Sequence, residues 1–145
     1  MGSQLLAGAV VSLINFAIHG IITGAIVVAT RHTAHVTSEK GMFVRLFALL
    51  TITMVALMCA HVVEIAVWAG YYVMIGITVK GVTLFEFAFE NYTALGYGDA
   101  VPSQGTRLMG PITALNGLLL IGWSVAVIFE VMRMAELQFG KRRSS

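Results

Sequence analysis

The hydrophobic pattern of this sequence breaks at one segment, Thr93-Ala94-Leu95-Gly96-Tyr97-Gly98-Asp99. Two of its glycines straddle a tyrosine, and glycine adopts left-handed backbone conformations at no steric cost. Alternating glycines therefore allow successive residues to alternate between left- and right-handed conformations, so that consecutive carbonyl oxygens point to the same side. Carbonyls arranged in this way replace the hydration shell of a cation. The segment is therefore the first candidate for a functional site.

The amino-acid composition indicates whether the chain surrounding this segment lies in water or in a membrane. Of the 145 residues, 58% are hydrophobic and 11% are charged. Soluble domains carry about 25% charged residues, so the chain has too little charge to cover a water-facing surface. Seven acidic and nine basic residues are also too few for a nucleic-acid-binding face. The single cysteine, Cys59, excludes an intrachain disulfide. We therefore expect an all-α membrane protein.

Three stretches are long enough to cross a bilayer, for which a helix needs roughly 20 apolar residues. They lie at about residues 5–30, 42–72 and 108–135. A fourth stretch, residues 82–94, is too short to span, and Thr83 three residues before Glu86 is typical of a helix start. Irregular backbone at membrane depth must be enclosed by protein or line a wet cavity. We therefore predict three transmembrane helices and one re-entrant helix that enters and leaves on one side.

The basic residues predict the orientation. In a three-span arrangement seven of the nine lie on one side of the membrane and two, Lys80 and Arg107, on the other. Because basic residues gather on the cytoplasmic side, we expect the 31–41 loop and the C-terminus in the cytoplasm and the N-terminus outside. The N-terminal residues have no Lys or Arg ahead of the first apolar run, so a cleaved signal peptide is not expected.

A short helix, Gly-Tyr-Gly-Asp and then a spanning helix together resemble the pore of potassium channels, whose filter reads Thr-Val-Gly-Tyr-Gly. The resemblance covers about residues 82–131. It implies a pore domain over residues 42–145, which consists of an outer helix (42–72), a pore helix (82–94), a selectivity filter (94–98) and an inner helix (108–135). Residues 1–41 then form an additional N-terminal helix and a cytoplasmic loop. One chain supplies one filter strand, so the resemblance also implies a fourfold homotetramer in the cell membrane.

The resemblance further implies roles for the residues of the filter. Dehydrated K⁺ would bind the carbonyl oxygens of Ala94, Leu95, Gly96 and Tyr97, with Gly98 permitting the outermost turn. Glu90 precedes Asp99 by nine residues, the spacing of a carboxylate pair that braces the filter in some members. Such a pair would share a proton because like charges in a poorly solvated site cannot both ionise. Besides membrane lipid and the permeant K⁺, we expect no cofactor, no catalytic residue and no transition-metal site.

The filter departs from the family in two places. Ala94 stands where the family has a threonine, so a ring of side-chain oxygens is lost, although Thr93 is kept. A weakly selective cation channel is therefore the alternative function, and threonine at position 94 should tighten selectivity. Glu86 and Phe87 stand where many members have tryptophans, which leaves the partner of the Tyr97 hydroxyl open.

Two polar pairs, each one helical turn apart, lie within apolar runs: Asn15 with His19, and His61 with Glu64. Ionisable groups inside a membrane are functional candidates. Counting along the second span places His61 and Glu64 in the outer part of the bilayer, where we expect an interfacial pair beside Trp68 rather than a metal or proton-sensing site. A haem-binding protein that uses His19 and His61 is the alternative from a different class of function.

Three further groups of residues have two interpretations each. Gly117 is either a gating hinge of the inner helix or a small packing residue. Gly20 and Gly24 form a Gly-x-x-x-Gly pair, which either packs against the outer helix of its own or a neighbouring subunit or lies on a peripheral helix that faces mostly lipid. Near the end of the third span, Glu130, Arg133 and Glu136 form either an intersubunit ring at a gate or pairs within one helix.

Overall fold

The computed structural model describes residues 2–36 and 42–143. These residues form four α-helices: α1 (Gly2–Val36), α2 (Met42–Met74), α3 (Leu84–Tyr92) and α4 (Met109–Arg143). A short 3-10 turn, Gln104–Thr106, precedes α4. The described residues contain no strand, so the all-α prediction is confirmed.

Three of the helices are long and apolar enough to cross a membrane. The apolar stretches are Gly2–Thr30, Leu46–Met74 and Gln104–Leu137, and each overlaps one predicted span. α1 and α4 extend past their apolar stretches. The polar residues that follow mostly have adequate helix propensity, so the helix continues through them. Pro111 lies in the first turn of α4, where its missing N–H costs least.

α3 is shorter than the predicted 82–94 at both ends. It begins at Leu84 because Thr83 is its N-cap, with extended backbone angles and a side chain that accepts a hydrogen bond from the Glu86 N–H. It ends at Tyr92, and Thr93 caps it. Ala94 has a φ of 56°, which no right-handed helix accommodates. The capping residues, rather than the apolar run, therefore set the length of this helix.

The main hydrophobic core lies where α3 packs against α2 and α4. A chain of aromatic contacts joins Trp68, Tyr72 and Phe87, with ring centroids 6.0 and 5.5 Å apart. These separations suit favourable ring–ring contacts. A second, smaller cluster of Ile26, Leu57, Val127 and Val131 joins α1, α2 and α4 further along. The first cluster holds α3 against the long helices, and the second holds the three long helices together.

α1 packs against α2 and α4 through one face. Its buried residues recur at helical spacing: Val11, Asn15, His19, Ile26 and Thr30. Gly20 approaches Trp123 at 3.8 Å, but Gly24 is exposed with nothing within 4 Å. Within the described residues of one chain, Gly20 thus approaches another helix and Gly24 does not. A contact between this pair and a neighbouring copy remains a prediction.

Candidate functional site

α3 begins with a capping box formed by Thr83 and Glu86. The Thr83 N–H donates to Glu86 Oε2 at 2.7 Å, and the Glu86 N–H donates to Thr83 Oγ1 at 3.2 Å. The pKa of Glu86 is lowered, mainly by its hydrogen bond with the backbone N–H of Thr83 and to a smaller extent by the Thr83 side chain. The predicted start signal is therefore confirmed, and it satisfies donors that a helix N-terminus leaves unpaired.

The chain leaves α3 through a tight C-terminal turn. The Ala94 N–H donates to the Asn91 carbonyl at 2.9 Å, and the Leu95 N–H donates to the Glu90 carbonyl at 3.0 Å. The hydroxyl of Thr93 also donates to the Phe89 carbonyl at 2.9 Å. These bonds tie the first residues of the 93–98 segment to the end of α3, so the position of the segment follows from that of the helix.

Left-handed backbone conformations alternate along this segment. The φ angles of Ala94, Gly96 and Gly98 are 56°, 48° and 84°. The sequence predicts this conformation at the two glycines, but nothing in it predicts the same at Ala94, where a left-handed conformation costs roughly 1–2 kcal/mol. Positive φ angles therefore recur at every second residue from 94 to 98.

The same segment lies on the surface of the single chain. The side chains of Leu95 and Tyr97 are 58% and 71% exposed. Beside them is an open cleft of about 580 Å³, lined by Val82, Glu86, Phe89, Glu90, Thr93, Leu95 and Tyr97. Within the described residues no hydrogen bond or ion pair joins Glu90 to Asp99, and their shared proton stays a prediction.

Two glycines of α4 bring that helix against α3. A Cβ built on Gly117 would overlap the main-chain carbonyl oxygen of Tyr92, and one built on Gly110 would lie 2.7 Å from Asn91 Oδ1. Asn91 is itself held by a 2.7 Å bond from its Nδ2 to the Phe87 carbonyl. The close approach supports the packing interpretation of Gly117. The role of Gly110 has no signal in the sequence.

A buried polar cluster joins all four helices next to this contact. Glu64 of α2 is fully buried. Its Oε1 lies 2.9 Å from His19 Nδ1 of α1, and its Oε2 lies 3.1 Å from His61 Nδ1. The hydroxyl of Tyr92, the last residue of α3, donates to Oε2 as well. A carboxylate thus connects α1, α2 and the end of α3.

Ser124 of α4 closes the cluster on its other side. Its Oγ lies 2.9 Å from His61 Nε2 and 3.3 Å from His19 Nε2. Both imidazoles therefore have Nδ1 toward Glu64 and Nε2 toward Ser124. The two rings are in contact, with centroids 5.3 Å apart. A donor atom from each of His19, His61 and Glu64 lies within 4.8 Å of the others, so these residues are candidates to hold a metal ion.

A second polar group extends the cluster along the helices. Asn15 Nδ2 lies 3.2 Å from the Glu64 carbonyl oxygen and 3.1 Å from Asn116 Oδ1. The indole N–H of Trp68 donates to the same Asn116 oxygen at 2.9 Å. The two polar pairs that the sequence indicates therefore meet at one place, with α4 residues that the sequence does not single out.

This arrangement bears on two expectations. His61 and Glu64 form the expected hydrogen-bonded pair, and Glu64 is fully buried between the helices. The depth of the pair in the bilayer stays a prediction. The haem-binding alternative gains no support, because both nitrogens of His19 and of His61 face Glu64 or Ser124 and the rings are too close for a porphyrin between them.

The charged residues near the end of α4 pair within the helix. Arg133 Nε and Nη2 donate to the two carboxylate oxygens of Glu130 at 2.9 and 2.8 Å. The pair is exposed, and its two residues are three positions apart in the helix. This supports pairing within one helix, which contributes about 0.2–0.5 kcal/mol.

Comparison with known proteins gives one family match. The profile of a family described as an ion channel matches residues 58–134, which is more than half of the chain. The matched range runs from the middle of α2 through α3 and the 93–98 segment into α4. A search of curated proteins and a search of solved structures give no significant match.

Proposed function

Because the chain belongs to the ion channel family, the two-transmembrane type of potassium-channel pore, we propose that it is a potassium-selective channel. Its conducting unit is a homotetramer in which four copies of residues 94–98 line one axis. K⁺ passes down its electrochemical gradient and is the permeant ligand, and no further cofactor takes part. The protein lies in the cell membrane with its N-terminus outside and its C-terminus in the cytoplasm.

One observation carries this proposal: the alternation of backbone conformation along the filter. Left-handed φ angles at Ala94, Gly96 and Gly98, with other conformations between them, suit carbonyl oxygens that all point toward one side. Such carbonyls take the place of the water molecules around a dehydrated K⁺ ion. The alternation is unusual because one of its three positions is not glycine.

The exposed surface around the filter supports a tetramer. Leu95 and Tyr97 are large apolar or aromatic residues on a surface that also carries an open cleft. An exposed segment beside an open cleft leaves room for a neighbouring copy. A neighbouring copy that covers this surface would close the cleft and place a second filter strand beside the first.

The length and direction of α3 support its role as a re-entrant pore helix. Its nine residues rise about 13 Å, less than half of the roughly 30 Å hydrocarbon core. The partly negative C-terminal end of the helix lies at Tyr92, directly before the filter. A helix that ends there favours a cation over an anion.

Flux into proteoliposomes tests the proposal. Vesicles that contain the purified protein should take up K⁺ and exclude Na⁺. Gly96→Val should abolish uptake, because a left-handed φ is strongly strained for a β-branched residue, while no atom lies within 4 Å of the added Cβ. The measured mass of the purified assembly should also equal that of four chains. Equal uptake of K⁺ and Na⁺ would favour the weakly selective alternative, and no uptake would favour a non-conducting subunit.

A further inference from the structure

The buried carboxylate of Glu64 is the starting point of a second site. It has no exposed surface, and no lysine or arginine pairs with it among the described residues. A carboxylate out of water needs a compensating positive charge or a proton. The groups that face it are His19 from α1, His61 from its own helix and Tyr92 from α3. Its charge is therefore balanced inside this cluster.

The three donor groups suit a metal ion. Two imidazole nitrogens and one carboxylate form the set that many open zinc sites use, with metal–ligand distances of about 2.0–2.1 Å. Ligands at these distances around a tetrahedral ion lie about 3.3 Å apart. The Nδ1–oxygen distances are 2.9 and 3.1 Å. Each of these distances is to a different oxygen of Glu64, and the donor atoms of the three residues all lie within 4.8 Å of one another. Ligation therefore changes these separations by about 1.5 Å or less.

Ser124 provides the outer contacts of such a site. Histidines that bind a metal usually donate their other N–H to an oxygen, which fixes the ring orientation. Ser124 Oγ lies within hydrogen-bond distance of both Nε2 atoms, and a hydroxyl has two lone pairs to accept both bonds. Both Nδ1 atoms then direct lone pairs at the Glu64 carboxylate. A cation between these three atoms would stabilise that arrangement.

A fourth ligand position is also present. The Tyr92 hydroxyl lies 2.8 Å from His61 Nδ1 and donates to Glu64, so an oxygen is already next to the three ligands. The His61 side chain is 20% exposed, whereas His19 and Glu64 are fully buried. The cluster is therefore least enclosed by protein at His61.

We propose that His19, His61 and Glu64 form a binding site for a divalent transition-metal ion such as Zn²⁺. The expectation of no transition-metal site in this chain is thereby withdrawn. His61, Glu64 and Tyr92 lie within the range of the family match, but His19 lies outside it. The additional N-terminal helix thus completes the site. Bound metal would connect α1 to the residue that directly precedes the filter segment.

Cobalt tests the site in the whole purified protein, because Co²⁺ bound by four nitrogen and oxygen ligands absorbs visible light. We expect one Co²⁺ per chain and absorption that Zn²⁺ removes. His19→Gln and His61→Gln should each weaken Co²⁺ binding about 100-fold or more. Loss of a residue that only hydrogen-bonds a ligand already costs up to about 100-fold in affinity, and loss of a ligand should cost at least as much. The matched control replaces His32 and His35, the other two of the four histidines, with glutamine and should bind as tightly as the wild type.

X-ray absorption at the zinc edge of the wild-type protein is a second measurement, which does not depend on the folding of a variant. We expect two imidazole ligands per zinc and a carboxylate oxygen. The proposal is overturned if the wild type binds no Co²⁺, as it would if the cluster held only a proton. It is also overturned if the His32/His35 control loses binding, or if the zinc has only oxygen ligands.

Discussion

Gly117 of α4 lies directly against the main-chain carbonyl of Tyr92, the last residue of α3. A side chain at position 117 would occupy the space of that oxygen, so glycine allows backbone contact between the inner helix and the end of the short helix. On its other side, Tyr92 donates its hydroxyl to Glu64. The residue before the filter is therefore held by its backbone against α4 and by its side chain against α2.

Gly117→Ala should destabilise the protein by about 1–3 kcal/mol, because the added methyl group meets backbone that cannot move aside. Gly122→Ala is the matched control, since nothing lies within 4 Å of its Cβ in the same helix. Thermal unfolding in detergent measures both. Equal stability of the two variants, with a change only in flux, would instead favour a gating hinge at Gly117.

Tyr92→Phe should cost about 1.5–3 kcal/mol, the range for a hydrogen bond to a charged group, because a buried carboxylate loses a donor. Tyr71→Phe removes the hydroxyl of a half-buried tyrosine on α2 and is the control. Unfolding by heat compares the two variants. If Tyr92→Phe is as stable as the control, the bond to Glu64 has no part in holding α3.

Thr83→Ala should destabilise the start of α3 by about 1 kcal/mol, the usual cost of losing an N-cap. Hydrogen exchange of the α3 amides measures this loss locally. Ser in place of Thr83 keeps a capping oxygen and should exchange as slowly as the wild type. Fast exchange in both variants, or in neither, would contradict the capping role.

The capping box also predicts a dependence on pH. The pKa of Glu86 is lowered in the folded protein from its usual 4.5, so its stabilising effect is complete above that value and is lost as the pH falls through the lowered folded value. Glu86→Gln keeps the hydrogen-bonding shape without the charge. Between about pH 6 and about pH 3, the wild type should lose more stability than this variant. Parallel curves for the two proteins would contradict the prediction.

Ala94→Ser should raise the preference for K⁺ over Na⁺, because it returns a hydroxyl to the inner end of the filter. Ala94→Thr should do the same but at a cost in stability, since a β-branched residue is strained at a φ of 56°. Ala100→Ser adds the same hydroxyl outside the filter and should leave selectivity unchanged. Permeability ratios from ion-substitution currents measure all three. Selectivity that stays constant in Ala94→Ser would show that this hydroxyl is not needed.

The sequence predicts features that recur along a single helix better than contacts between residues of different helices. Apolar length finds the three long helices, Thr83 with Glu86 finds the start of α3, and glycine spacing predicts the left-handed positions at 96 and 98. Helical spacing also shows that His61 and Glu64 share a face. It cannot show that α1 brings His19 to that face, because the pairing of helices depends on the whole packing arrangement.

The same limit applies to the glycines. Gly117 and Gly122 are both glycines of the apolar part of α4, and of these two only Gly117 touches α3. The left-handed conformation of Ala94 likewise depends on the hydrogen bonds that end α3 and on the glycines after it, and no property of alanine predicts it. These features become visible only when the four helices are assembled.

The most direct test of the central claim is the reversal potential of the wild-type channel in a planar bilayer, with K⁺ on one side and Na⁺ on the other. Selective conduction through residues 94–98 predicts a potential near that of a purely K⁺-permeable membrane, and no such current from Gly96→Val. A reversal potential near zero would show equal permeability to the two ions and would contradict a potassium-selective filter.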